Sequence, residues 1–185
     1  MLKVIGKRSL IIILTILFLC LLSVGFLIGK SKSYQSTRFI YYRPDVLKTM
    51  KDSSLNIPLP KPSDITVENN NIRLDLEKIA INKYFIVYNV IYGDQSHTAY
   101  HLFLTNLSRE KINKNKIESI YLVTKTGKKI EPVAQKPVIR DFPRDQPLGW
   151  RVKIIAKFPY KTDRQNHNLI LKYDGIEYEL PKIDY

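Results

Sequence analysis

The chain changes its pattern of apolar and polar residues at two places. Residues 9–29 are almost wholly apolar, and the nineteen residues 10–28 carry no charge. Residues 30–63 are polar, basic and proline-containing, and from residue 64 onward short segments alternate between apolar and polar positions. The pattern predicts four parts: a short basic segment (1–8), a transmembrane helix (9–29), a juxtamembrane segment with a spacer (30–63) and a β domain (64–185).

The apolar run has the length of a membrane-spanning helix, because roughly 20 residues at about 1.5 Å each cross the hydrocarbon core. A cleaved signal peptide is the alternative, but its apolar region covers only about 7–15 residues and ends in small residues. The longer run favours a retained signal anchor. Cys20 follows Phe18 and Leu19, where a lipoprotein signal needs a small residue, so we interpret Cys20 as one more apolar side chain.

The orientation of the anchor is predicted with the amino terminus inside. Cations lie on both sides of the run, so the positive-inside rule discriminates little, but a long following domain translocates largely regardless of its charge. Residues 30–185 contain no cysteine, which suits an extracytoplasmic domain without disulfides, with a cytosolic domain as the alternative. We therefore expect a single-pass protein of the cell membrane with an extracytoplasmic β domain. The flanking cations are Lys3, Lys7, Arg8, Lys30, Lys32, Arg38 and Arg43.

The segment 30–63 contains aromatic residues beside cations and then alternating prolines. Phe39, Tyr41 and Tyr42 have the chemistry of a membrane interface, but they could equally dock onto the folded domain. A short helix is predicted over residues 45–51. Pro58, Pro60 and Pro62 fix φ and bias their predecessors to extended geometry, which predicts a stiff spacer.

The β domain is predicted from period-two segments and turn residues. The segments are 72–77 (with the apolar face continuing at Ile79 and Ile81), 84–92 as a central strand, 100–107 as its hairpin partner, 117–124, 129–133, 150–158, 168–173 and 176–180. Asp174-Gly175 between the last two is a strong hairpin signal. About eight strands at this spacing predict an all-β antiparallel sandwich or barrel.

A family resemblance accompanies this pattern. The segment Leu104-Thr105-Asn106-Leu107-Ser108, the strand 120–123 before Thr126-Gly127-Lys128-Lys129, and a strand after Gly149 follow in order. This arrangement resembles bacterial membrane-anchored immunoglobulin-like domains of the DUF4352 kind over residues 65–181. The resemblance implies an immunoglobulin-like antiparallel β-sandwich outside the cytoplasm, without known catalytic residues.

Motifs that carry chemistry are not found in the sequence. His97 and His101 share one face of a strand but lie about 13 Å apart by strand rise, too far to bind one metal ion. No nucleophile, phosphate-loop or dinucleotide motif is present. We therefore expect no enzyme activity, no cofactor and no metal.

The basic excess gives the candidate binding surfaces. The chain carries 30 Lys+Arg against 17 Asp+Glu, a net charge of +13. One set of lysines is a candidate surface for an anionic ligand or a partner, with a solvated basic surface as the alternative: Lys111, Lys114, Lys116, Lys128 and Lys129. The loop 135–149 is a candidate contact loop through Arg140, Asp141, Arg144 and Asp145, whose charges also suit simple surface ion pairs.

These expectations define a function class rather than an activity. The chain is predicted to be an envelope binding or interaction module whose partners are membrane lipid and either another envelope protein or an anionic wall polymer. Nucleic acid is not expected, because no recognition helix is visible. The alternatives are an accessory subunit of a larger membrane complex and an enzyme with an unrecognised site.

Overall fold

The computed structural model describes residues 6–33, 36–42, 59, 61–84, 86–134, 136–142, 149–160 and 167–181. They form two compact units, Met1–Ser36 with Lys83–Ser96, and Thr37–Asn82 with His97–Tyr185. The helices are α1 (Lys7–Ser33) and α2 (Ile86–Tyr92). The strands are β1 (Ser36–Tyr41), β2 (Thr66–Asn69), β3 (Ile72–Lys83), β4 (His97–Asn106), β5 (Ile117–Thr124), β6 (Lys129–Ile130), β7 (Val138–Asp141), β8 (Arg151–Pro159), β9 (His167–Tyr173) and β10 (Ile176–Glu179).

Helix α1 covers the apolar run, and its described large apolar side chains are about half exposed, from 46% at Ile13 to 64% at Phe26. The hydroxyls of Thr15 and Ser23 donate to carbonyls one turn earlier, at 2.9 Å in each case, so they stay within the helix. Among the described residues, no helix combines the length and the apolar character that crossing a membrane requires. The prediction for residues 9–29 is thus confirmed as a helix and not as a membrane span.

Helix α2 replaces the central strand predicted at 84–92, so that prediction is wrong. Gly93 (φ +77°) follows α2 directly, in the left-handed conformation that ends helices. The Asn89 side chain accepts from Gln95 N at 3.1 Å, and Gln95 Nε2 donates to the Tyr92 carbonyl at 2.9 Å. These hydrogen bonds are local, and they connect the end of α2 to the residues that follow it. Strand β4 consequently pairs with β3 and β8.

The second unit contains two antiparallel sheets around one core. Sheet A has the order β1-β3-β4-β8-β7, with β2 also pairing with β3, and sheet B has the order β10-β9-β5-β6. Apolar side chains from both sheets form a single buried cluster, to which β4, β8 and β9 contribute Leu102, Ile154 and Leu171, each 0% exposed. The all-β, antiparallel prediction is therefore confirmed.

Strand β3 reaches the core along its whole length because it contains an irregularity. Leu74 and Leu76 are buried, and so is Ile79, although a regular strand would turn Ile79 to the other face. The register with β4 shifts between Leu76 and Lys78. Such a β-bulge inserts one residue and restores the apolar face.

The remaining predictions concern the hairpin at residues 174–175, the bounds of the later strands and the segment before the β domain. The Asp174-Gly175 hairpin is present, with φ of +52° and +77°. Strand β5 has the predicted bounds, β6 is shorter than 129–133, and β7 lies inside the predicted loop 135–149. Strand β1 belongs to sheet A, and its Phe39 and Tyr41 side chains stay 48% and 61% exposed, with Lys78 Nζ 5.1 Å and 5.3 Å from their ring centres. The predicted helix 45–51, Pro58 and Pro60 lie outside the described residues.

Candidate functional site

The five candidate lysines do not form one patch. Lys111, Lys114 and Lys116 precede β5, whereas Lys128 and Lys129 follow it. The eight residues of β5 lie between the two groups, which places them about 23 Å apart at ordinary strand rise. The lysines therefore occupy opposite ends of one strand.

Most of these lysines are also neutralised by carboxylates. Lys114 Nζ lies 2.7 Å from Asp141, Lys116 Nζ lies 2.7 Å from Asp174, and Lys129 Nζ lies 2.8 Å from Glu131. The hydrogen bond from Lys116 to Asp174 raises the pKa of that lysine, so its charge is held firmly. The ion pairs therefore offset three of the five lysine charges beside β5. The side chains of Lys111 and Lys128 are exposed, without an ion pair to any described residue.

The candidate contact loop is only partly described. Arg140 and Asp141 lie on β7 at the edge of sheet A, while Arg144 and Asp145 lie outside the described residues. Arg140 is exposed, and Asp141 is half-buried in its ion pair with Lys114. That pair joins the two surfaces singled out in the sequence.

An open cleft of about 490 Å³ lies where these two surfaces meet. Its walls come from the turn before β5, the first half of β5 and the segment that leads from β6 to β7. Isoleucines and prolines supply an apolar lining, and charged and amide groups supply the rim. The lining residues are Lys114, Asn115, Ile117, Glu118, Ser119, Ile120, Glu131, Pro132, Lys136, Pro137 and Ile139.

Strand β5 presents a free edge to this cleft. Strand β6 pairs only with Leu122 and Val123, so among the described residues the first half of β5 has no strand neighbour on this side. Thr124 N donates to Lys128 O at 3.0 Å across this edge, and alternation directs the amide and carbonyl of Ile120 the same way. Unpaired strand edges accept extended peptides as additional strands.

The charges at the cleft rim are arranged in pairs. Lys172 Nζ lies 2.7 Å from Glu118 Oε2, and the Gly175 N–H donates to Glu118 Oε1 at 2.7 Å. The hydrogen bond from Lys172 is the main reason why the pKa of Glu118 is lowered, and the bond from Gly175 adds to it. Glu118 therefore stays ionised but compensated. Lys136 is the exposed cation at the rim without an ion pair among the described residues.

A second group of charges, which the sequence did not single out, is buried on the outer face of sheet A. Asp75 is 0% exposed and accepts from Ser63 N and Arg73 Nε, both at 3.0 Å. The guanidinium of Arg151, also 0% exposed, lies 3.9 Å from the centre of the Phe103 ring. Arg73 and Asp75 alternate with apolar residues on β3, which is the pattern of a solvated face. The backbone of Ser63, twelve positions before Asp75, supplies one of the contacts of this buried carboxylate.

The histidines of β4 are placed on the same face of the strand, as expected. His97 Nε2 contacts Asn82 Nδ2 at 3.3 Å. Burial lowers the pKa of His101 to about 4, and Lys153 and Lys78 add to the effect while Glu77 opposes it. Within the described part of the chain, no three His, Cys, Asp or Glu side chains are grouped as metal ligands would be.

Comparisons with known proteins found no matching family model, no matching curated protein and no matching solved structure. Membership of the DUF4352 kind therefore stays a prediction from the sequence. The features of the described chain that bear on function are the cleft, the free edge of β5 and the exposed apolar surface of α1.

Proposed function

We propose that this protein is a membrane-attached binding module of the cell envelope, whose β unit takes a protein partner in the cleft beside β5. The observation that carries the proposal is the combination of an open cleft with a strand edge in its wall that no other described strand covers. A volume of about 490 Å³ holds a few residues of an extended chain. The partner then gains backbone hydrogen bonds from β5 and apolar contacts from the isoleucine and proline lining.

A protein partner suits this site better than an anionic polymer. Three of the five candidate lysines are paired with Asp141, Asp174 and Glu131, so they offer little net charge to a polyanion. An accessory subunit of a larger membrane complex is the same proposal with a permanent partner. The sandwich architecture of the immunoglobulin-like kind is also part of the proposal, since two sheets share one core.

Attachment to the membrane is proposed for α1. Its support is the nineteen uncharged residues 10–28, together with the exposure of the large apolar side chains along the helix. Exposure of that much apolar surface to water is unfavourable by roughly 25 cal/mol per Å², and lipid removes the cost. The β unit is proposed to lie outside the cytoplasm, as the sequence predicts.

Site-specific photo-cross-linking in intact membranes tests the binding site. A photoreactive amino acid replaces Lys136 at the cleft rim, and a control protein carries it in place of Lys157, an exposed lysine of β8 outside the cleft lining. The proposal predicts one recurrent adduct at position 136, absent at 157 and lost when Ser119→Trp fills the cleft. Equal labelling at both positions, or an adduct indifferent to Ser119→Trp, contradicts the proposed site.

Two measurements test the remaining parts. Native mass measurement of the detergent-extracted protein distinguishes a free module, which runs as a monomer, from a complex subunit, which runs with its partner. The lone cysteine reports attachment, because Cys20 in α1 should resist a membrane-impermeant maleimide until detergent is added. A matched Cys20→Ser, Thr37→Cys protein places the thiol at β1 and should react from outside the cell. Loss of the first 25 residues from the intact mass contradicts retention of the anchor.

A further inference from the structure

The connection between β3 and β4 has a composition unlike the rest of the chain. Residues 84–96 contain one charged residue, Asp94, and four aromatic residues, whereas 25% of the whole chain is charged. The segment is far longer than a hairpin turn needs, since β3 and β4 pair directly from Asn82 and His97. The extra length is used to form α2.

Helix α2 turns apolar side chains outward and satisfies polar groups within the segment. Val90 is 78% exposed, Ile91 44% and Tyr92 50%. On the inner side, the Asn89 side chain binds Gln95 N and lies 3.4 Å from both the Tyr84 carbonyl and the Ser96 hydroxyl. A connection exposed only to water gains nothing from this arrangement, because it leaves the apolar side chains in solvent.

The neighbour of α2 indicates what covers it. Helix α2 lies against α1 within one compact unit, so the exposed residues of both helices belong to the same body. Large apolar side chains of α1 are exposed by 46% to 64%. The medium that covers α1 is therefore also adjacent to α2.

We propose that α2 is a second point of membrane contact, lying at the boundary between lipid headgroups and hydrocarbon beside α1. The inference rests on the membrane attachment proposed above. Seven residues are too few to cross a bilayer but suffice for one apolar face at its surface. Tyrosines favour this depth because the ring is apolar and the hydroxyl is wet, and the polar Asp94 and Gln95 follow the helix after Gly93.

Single-cysteine fluorescence in vesicles tests the contact. The full chain is reconstituted into phosphatidylcholine–phosphatidylglycerol vesicles, and one thiol carries an environment-sensitive fluorophore. The native Cys20 reports α1, and Cys20→Ser, Val90→Cys reports α2, with Cys20→Ser, Tyr92→Cys as a second position in α2. The matched control is Cys20→Ser, Val133→Cys, because Val133 is a similarly exposed valine (65%) of the β unit.

Lipids that carry a spin label near the headgroup end of the acyl chain quench only those fluorophores that reach the membrane. The inference predicts loss of emission at positions 20 and 90 and unchanged emission at 133. Quenching at 20 with none at 90 and 92 overturns the inference and leaves the attachment of α1 standing. The absence of quenching at all positions overturns the attachment itself. In a third outcome, the fluorophore at position 90 is shielded from aqueous iodide but is not quenched by the labelled lipid. Protein rather than lipid then covers α2, and this result also overturns the inference.

Discussion

The hydrogen bond between Tyr100 and His167 joins the two sheets through the core. Tyr100 lies on β4 in sheet A, and His167 begins β9 in sheet B. The hydroxyl lies 2.5 Å from Nε2 of the imidazole, and the side chains are 0% and 2% exposed. The rings also meet edge to face, with centres 5.8 Å apart. This pair is therefore both a polar and an aromatic link between the sheets.

Replacing Tyr100 by Phe removes the hydroxyl and keeps the ring. The ring contact with His167 and the edge-on contact with Phe158 at 5.5 Å remain, so the change isolates the hydrogen bond. The variant loses the bond and deprives a buried ring nitrogen of this oxygen, which costs about 1–3 kcal/mol. At roughly 4 °C per kcal/mol for a domain of this size, the midpoint of thermal unfolding falls by about 4–12 °C.

Urea unfolding of the detergent-solubilised full chain measures the effect, followed by fluorescence of Trp150. This residue is 7% exposed and is the single tryptophan of the chain, so it reports the β unit alone. A double-mutant cycle with Tyr100→Phe and His167→Phe should give a coupling energy of about 0.5–3 kcal/mol. Tyr178→Phe is the matched control, because among the described residues that buried hydroxyl has a single long contact, 3.4 Å to Asn69 O. Additive single variants, or equal losses for Tyr100→Phe and Tyr178→Phe, refute the reasoning.

Three further predictions concern buried charge and the turns. Because the pKa of His101 is lowered to about 4 in the folded state, the unfolded chain binds more protons between about pH 6.5 and 4, and the free energy of unfolding falls as the pH decreases through this range. His101→Gln should reduce this fall by about 1–2 kcal/mol, a value that allows for the partial exposure of the side chain. Urea unfolding at several pH values measures the change, and an unchanged pH dependence contradicts it. Asp75→Ala should lower the free energy of unfolding by about 3–5 kcal/mol, because it leaves the buried Arg73 without its buried partner carboxylate. Glu68→Ala, which removes the half-exposed carboxylate 3.5 Å from the same arginine, should lower it by under about 1 kcal/mol. Similar shifts of the denaturant midpoint for the two variants disprove the role of burial. Gly175→Ala should cost about 1–2 kcal/mol because φ is +77° there, measured by thermal unfolding, and an unchanged midpoint counts against it.

Strands with one buried face were predictable from the sequence. Strand β5 has the bounds expected from its alternation, and its even-numbered residues from Ile120 to Thr124 are buried. In such a strand a slip of one residue would expose the whole apolar set, so the pattern fixes the register. The hairpin at Asp174-Gly175 was predictable for a related reason, because few residues tolerate two successive positive φ angles.

The β-bulge in strand β3 was also predictable from the sequence. Its apolar residues change from even to odd positions between Leu76 and Ile79, and a regular strand does not allow this. The change of phase is itself the signal for the β-bulge at this point. The turn formed by Asn70 and Asn71, with φ of +46° and +59°, was likewise available as a hairpin signal between β2 and β3.

Helix α2 was missed because a short apolar run has no period that separates helix from strand. Residues 84–92 are rich in aromatic and β-branched types, which favours a strand locally. Strands β3 and β4 pair with each other directly, so the backbone hydrogen bonds of the sheet are made without residues 84–92. The tertiary structure therefore leaves this segment free to form a helix. Gly93 was the available sign, since a glycine just after an apolar segment also ends helices.

The candidate site could not be derived from the sequence, because it is built from ion pairs between distant residues. Lys114 and Asp141 are 27 positions apart, and Lys116 and Asp174 are 58 apart. Local counting of charge therefore predicts a basic patch, whereas the fold distributes carboxylates among the lysines. The cleft has the same origin, since its two walls belong to different parts of the chain.

The pairing of charges also decides how the proposed partner is recognised. A net charge of +13 predicts attraction to polyanions at long range, but screening limits such forces to about 8–10 Å at ordinary ionic strength. At the cleft, Lys114 and Glu118 are each held by an opposite charge, which leaves Lys136 as the exposed rim cation without an ion pair among the described residues. The free edge of β5 and its apolar surroundings remain as the groups able to make new contacts. We therefore expect recognition of the proposed partner to depend mainly on backbone geometry and shape.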